Sequence, residues 1–150
     1  MLCCVDGSEI TPTVVGVARR LADAVGADVV LVHVEPSIHA PGISAAPAGA
    51  RRLREEELRD AEALLERVVQ ESGLDPSTRT RAEIGSAGSR IVELCAGEHA
   101  ELVVLGSRGR GGLKAALLGS VSSEVASKSP CPCVIVSNAA HERLSRPASA

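Results

Sequence analysis

Short runs of branched apolar residues alternate along this chain with amphipathic stretches of helical period. Leu2 to Val5 is the first apolar run, and the turn signal Asp6-Gly7-Ser8 closes it. Thr11-Pro12 then reads as a helix start, with Thr11 at the N-cap and Pro12 in the first helical position. Val14, Val17, Ala18, Leu21, Ala22 and Val25 recur at helical spacing until Gly26. Asp28 to Glu35 contains the nearly unbroken run Val29-Val30-Leu31-Val32-His33-Val34, which predicts a strand covered on both faces, and Pro36 ends it.

Residues 36 to 50 are rich in Pro, Gly, Ala and Ser and read as a mobile loop, long enough to serve as a lid. A charged helix is expected from Arg51 to Ser72, with Leu58, Ala61, Leu65 and Val68 as its buried stripe, its Arg and Glu residues in solvent and Gly73 as its stop. Thr78 to Ile84 reads as a weaker strand near a sheet edge, and Gly88 to Glu98 as a helix through Ile91, Leu94 and Cys95. Leu102 to Leu105 is a strand, Ser120 to Ser129 a helix and Cys133 to Ser137 the last strand. The segment from Asn138 to Ala150 reads as a frayed tail, so the folded domain is expected to span residues 1 to 137.

Five strands alternating with four helices call for a single-domain α/β fold, an open parallel five-stranded sheet with helices on both faces. Ligands in such sheets bind beyond the carboxyl ends of the strands, where the strand order reverses. Asp6 ends the first strand and Gly106 follows the fourth. If those strands are neighbours, Asp6, the end of the second strand at His33-Val34 and the loop after Gly106 converge on one crevice.

The loop that starts at Gly106 carries the chemistry. Gly106, Gly109, Gly119 and Ser120 form the spacing G-x2-G-x9-G-S. A backbone that wraps an anion closely needs glycine where a Cβ would block approach or where φ must be positive. The helix beginning at Ser120 would then offer the unpaired N–H groups and positive dipole end of its first turn. Arg108, Arg110 and Lys114 meet no acidic residue between Gly106 and Gly119. The alternative motifs fail: no glycine stands at position 114 to complete G-x-G-x-x-G, and no Gly-Lys-Ser/Thr occurs.

Composition narrows the function. The 150 residues include no Phe, Trp or Tyr, and the net charge is −3. The core must therefore be aliphatic, and neither a stacking platform nor a basic footprint exists for nucleic acid. No segment approaches the ~20 apolar residues of a membrane span, and the first residues lack the features of a signal peptide, so a cytoplasmic protein is expected. The odd count of five cysteines fits reduced thiols. Cys3 and Cys4 point to opposite faces of a strand, while Cys131 and Cys133 share one; buried structural thiols are expected. His33 reads as a satisfied strand histidine, and Ser107, Ser122 and Ser123 have no evident base, so no catalytic residue is assigned.

Val5-Asp6-Gly7-Ser8, Leu31-Val32-His33-Val34, Gly106 through Ser120-Val121, and Pro130-Cys131-Pro132-Cys133-Val134-Ile135-Val136 together resemble the universal stress protein family in its ATP-binding form. The resemblance covers residues 1 to about 137. It implies an adenine nucleotide alpha hydrolase-like, Rossmann-like fold and a regulatory role in stress response. By the same resemblance Asp6 lies at the nucleoside end of ATP and the Val34 backbone reads the adenine edge. Leu105 and Gly106 line the ribose and α-phosphate, and Gly109 admits the phosphate chain. Gly119, Ser120, Val121 and Ser122 bind phosphate, with Mg²⁺ or Mn²⁺ accompanying it. It further implies a homodimer paired through the last strand, Cys133 to Val136. A dimeric interaction module that binds no nucleotide and a slow ATPase are the alternatives.

Overall fold

The computed structural model describes residues 1–37, 47–109 and 118–145. Ten elements succeed one another: β1 (Leu2–Cys4), α1 (Thr11–Val25), β2 (Val30–Glu35), α2 (Pro47–Glu71), β3 (Arg79–Ile84), α3 (Ala87–Gly97), β4 (Val103–Gly106), α4 (Ser120–Lys128), β5 (Cys133–Val136) and α5 (Asn138–Ser145). All strand pairs are parallel, in the order β3-β2-β1-β4-β5. β1 is thus central, with Cys3 opposite Leu31 of β2 on one side and Val104 of β4 on the other.

The alternation of side chains along each strand creates two apolar layers. Cys3, Leu31 and Val104 pack with Val14 and Ala18 of α1 and Leu65 and Val68 of α2. Leu2, Cys4, Val30, Val32, Val103 and Leu105 pack on the other face with Ile91 and Cys95 of α3 and Val125 of α4. The adjacent cysteines of β1 therefore serve different layers. Burial pushes the Cys3 thiol up to about 12 and Cys4 well above its usual range, with the other thiols adding to the rise at Cys4. Such thiols behave as small hydrophobes. Cys95, on α3, joins this second layer, and burial raises its thiol to about 11.

The two sheet edges differ. β3 is guarded by charge: Arg79 and Arg81 pair with Glu98, and Arg90 of α3 reaches Glu83. β5 carries no charged residue, and Cys133, Val134 and Ile135 are half-buried. Charged edges resist pairing with another chain, whereas a bare one does not.

Five local expectations change. Thr11 is not the N-cap; that position falls to Ile10 without a side-chain hydrogen bond, and the Thr11 hydroxyl instead reaches the Asp6 carboxylate at 3.5 Å. Helix α2 begins at Pro47, so the expected loop loses its last residues to the helix, and residues 38–46, the body of the proposed lid, lie outside the described residues. In α2 the buried apolar positions are Ala61, Leu64, Leu65 and Val68, while Leu58 is 36% exposed; Glu57 is buried as well, against the solvated face expected for the charges of this helix. The stripe is thus rotated from the expected one toward Leu64. Finally, residues 138–145 form helix α5 instead of a frayed tail. Ala140 packs on the first core layer, and Thr13 Oγ1 of α1 lies 2.6 Å from His141 Nδ1.

The rotated stripe gives a direct test by urea unfolding. Leu64→Ala is expected to cost about 2–5 kcal/mol, the range for truncating a packed leucine. Leu58→Ala should cost less than about 1 kcal/mol. The reverse order would restore Leu58 to the core.

Candidate functional site

The strand order reverses between β1 and β4, and a pocket of about 470 Å³ opens there. Its floor is apolar, from Cys4, Val32, Val34 and Leu105 at the strand ends and Ile91 of α3. Its rim comes from the Asp6 turn, from Gly106 to Gly109, and from the start of α4. Asp6, Val34, Leu105, Gly106, Gly109, Gly119, Ser120, Val121 and Ser122, the nine residues singled out in the sequence, all line this one pocket. Arg110 and Lys114 lie outside the described residues.

Asp6 serves the fold and faces the pocket with different oxygens. Its Oδ1 accepts the Ser8 N–H at 3.0 Å and the Ser8 hydroxyl at 2.6 Å, closing the turn in which Gly7 takes φ +73°. That turn is an Asx arrangement, stabilised because the side chain mimics a backbone acceptor. Oδ2 points across to Gly109, where a Cβ would stand 2.5 Å from it.

The glycines are required for space. None of Gly106, Gly109 and Gly119 has a positive φ. A Cβ on Gly106 would meet Ile10 Cδ1 at 2.6 Å and the Arg108 carbonyl at 3.1 Å; one on Gly119 would meet the Ser107 carbonyl at 3.2 Å. Of the two reasons for glycine, close approach is the one that operates here.

The loop between β4 and α4 is clamped at its base. Ser107 N–H donates to the Val136 carbonyl at 2.8 Å, and Gly119 N–H donates to the Ser107 carbonyl at 2.7 Å. The Ser122 hydroxyl, 2% exposed, lies 2.9 Å from that same carbonyl and 3.1 Å from that of Gly119. Its proton is thus committed inward, to backbone carbonyls. The helical ladder of α4 begins with Ser123 N–H to the Gly119 carbonyl at 3.0 Å, and Gly119 supplies no side-chain cap. The N–H groups of Ser120, Val121 and Ser122 therefore form the open first turn, where the helix dipole is positive.

Two features emerge only from the fold. Arg108 lines the pocket, and its buried Nε has no hydrogen-bond partner among the described residues. A buried unpaired donor is costly, so this group calls for an acceptor. The pocket walls are also tied together. Glu124 of α4 accepts the Ser89 hydroxyl of α3 at 3.1 Å, and a Cβ at Gly88 would collide with it. Lys128, one turn on, holds the Glu124 carboxyl below the usual range, helped by Ser89.

Among the described residues no group of three His, Cys, Asp or Glu side chains is arranged to hold a metal ion. Nor is any helix there long and apolar enough to cross a membrane.

Residues 1–137 match the Universal stress protein family. A universal stress protein of Thermus aquaticus is 33% identical over 141 residues, covering 91% of this chain and 96% of that protein. Among solved structures, the universal stress protein UspA from Lactobacillus plantarum aligns with a TM-score of 0.71 at 22% identity, covering 90% of this chain and 94% of its own. A universal stress protein solved in complex with cAMP aligns with a TM-score of 0.64 at 24% identity, covering 90% and 94% of the two chains. With its switch-point pocket, its parallel sheet and its glycine loop, this chain belongs to the universal stress protein family.

Proposed function

We propose that this chain is an ATP-binding regulatory protein of stress response, with the nucleotide held between the Asp6 turn and the G-x2-G-x9-G-S loop. The observation that carries the proposal is that one pocket joins an apolar floor to an uncapped helix N-terminus. The floor of Cys4, Val32, Val34, Ile91 and Leu105 suits the flat faces of a purine, and the volume lies within the roughly 300–1,000 Å³ of small-molecule sites. The amides of Ser120 to Ser122 suit phosphate oxygens, and Arg108 Nε would gain the acceptor it lacks. The cAMP complex of a structural neighbour supports an adenine nucleotide as the ligand class.

Asp6 is the sole carboxylate among the described lining residues, and its Oδ1 is engaged by Ser8. Mg²⁺ or Mn²⁺ would thus arrive with the triphosphate, held chiefly by phosphate oxygens and water, as Mg²⁺ commonly is. No histidine is among the described lining residues, and Asp6 is occupied in its turn. Orientation of an attacking water is therefore poor, and ATP is a bound effector rather than a substrate for rapid turnover.

The uncharged β5 edge supports pairing with a second copy through Cys133 to Val136. Free thiols and an ATP ligand together favour the cytoplasm.

Isothermal titration with Mg-ATP should give a sub-millimolar dissociation constant. Gly109→Val, which drives a side chain into Asp6, should weaken it at least about tenfold, or 1.4 kcal/mol. No heat at sub-millimolar ATP would leave the dimeric interaction module as the function. Phosphate release should stay well below roughly 1 s⁻¹, the low end of ordinary enzyme turnover; faster release abolished by Gly109→Val would make the protein an ATPase.

A further inference from the structure

His33 is buried, only 3% exposed, among the apolar residues Val30, Leu31, Val32 and Val34 of its own strand. Its Nδ1 lies 2.8 Å from the carbonyl oxygen of Val5, and its Nε2 lies 3.0 Å from Glu35 Oε2. A carbonyl oxygen and an ionised carboxylate are both acceptors. A neutral imidazole has one N–H and satisfies one of them. The full fork needs a second proton, held by His33 and Glu35 together.

The place of this fork matters more than its burial. The β1 ladder ends at Cys4, paired with Val32, and one further bond runs from Val5 N–H to the Val32 carbonyl at 2.9 Å. Beyond it the Val5 carbonyl has left the ladder, and the His33 ring supplies its partner. Val5 is bonded directly to Asp6, and His33 directly to Val34, so one ring bridges the two strand ends that carry the nucleoside half of the pocket.

We propose that His33 is a positioning residue of the nucleotide site: it donates to the Val5 carbonyl while Glu35 holds its other nitrogen, fixing the Asp6 turn against the Val34 backbone. The inference rests on the nucleotide assignment above. His33 does not line the pocket and acts through Val5 and Val34. The surrounding charges come from several elements. Glu35 lies on the same strand, and Asp6 stands at the end of β1. On β3, Arg81 and Glu83 flank Ala82, the residue in register with His33. From α2, Asp60, Glu66 and Arg67 line a polar hollow with Glu35.

Imidazole nitrogen NMR of the nucleotide-free protein, with Mg-ATP titration of variants, tests this assignment. The His33 ring should carry its proton on Nδ1, donated to the Val5 carbonyl, and Glu35→Gln should shift the Nε2 resonance. His33→Leu should weaken Mg-ATP about tenfold by orphaning the Val5 carbonyl. His33→Asn, whose amide nitrogen can reach where Nδ1 stood, should recover binding to within about threefold of wild type. Should His33→Leu fail to fold, the Asn variant and the NMR signature decide. Equal binding by wild type and His33→Leu, an Asn variant no better than tenfold weakened, or a ring that carries no proton on Nδ1 and is indifferent to Glu35→Gln would overturn the assignment. Wild-type protein that binds no ATP would instead overturn the nucleotide assignment on which it rests.

Discussion

Everything at the pocket depends on β1 lying between β2 and β4. A parallel sheet needs a crossover for every connection, and here the crossovers on the two sides of β1 run outward in opposite directions. The loops after β1 and β4 therefore part from each other and leave a crevice that no described helix fills. Because β1 is also buried on both faces, with Cys3 and Cys4 each committed to a different core layer, it cannot shift without disturbing both. The crevice has a rigid floor even though its rim is made of turns.

The rim is built by close approach. Asp6 and Gly109 face each other across the mouth with no room for a Cβ between them, Gly106 sits as tightly against Ile10, and Gly119 lies close against the Ser107 carbonyl. Ser122 and Gly119 then clamp the Ser107 carbonyl, which directs the open amides of α4 toward the cavity. Substituting any of these small residues fills space that a ligand or its opposing wall requires.

Much of this is legible in the chain itself, for identifiable reasons. The unbroken run from Val29 to Val34 can only be a doubly covered strand, and Gly106, Gly109, Gly119 and Ser120 keep a spacing that a plain connection would not need. The strand order is legible only conditionally, because spacing along a chain does not determine which strands are neighbours. In α2, Leu58 and Leu64 both continue a helical stripe through Ala61, Leu65 and Val68, and packing on the sheet selects Leu64. Helix α5 is hard to see because its small residues carry little apolar signal, while its anchor, Thr13 with His141, joins positions remote in sequence. The His33 fork is hidden for the same reason: its partner Val5 lies on another strand, 28 residues away. Arg108 reads as a basic residue near phosphate, but its unpaired buried Nε emerges only from the fold.

The most direct test of the central claim is an amide-detected NMR titration of the isotopically labelled protein with Mg-ATP. Binding between the Asp6 turn and the glycine loop predicts saturable shifts at Asp6, Val34, Gly106, Gly109 and the amides of Ser120, Val121 and Ser122, with β3 and the far ends of the helices unchanged. Shifts confined to other surfaces, or a spectrum indifferent to millimolar nucleotide, would contradict it.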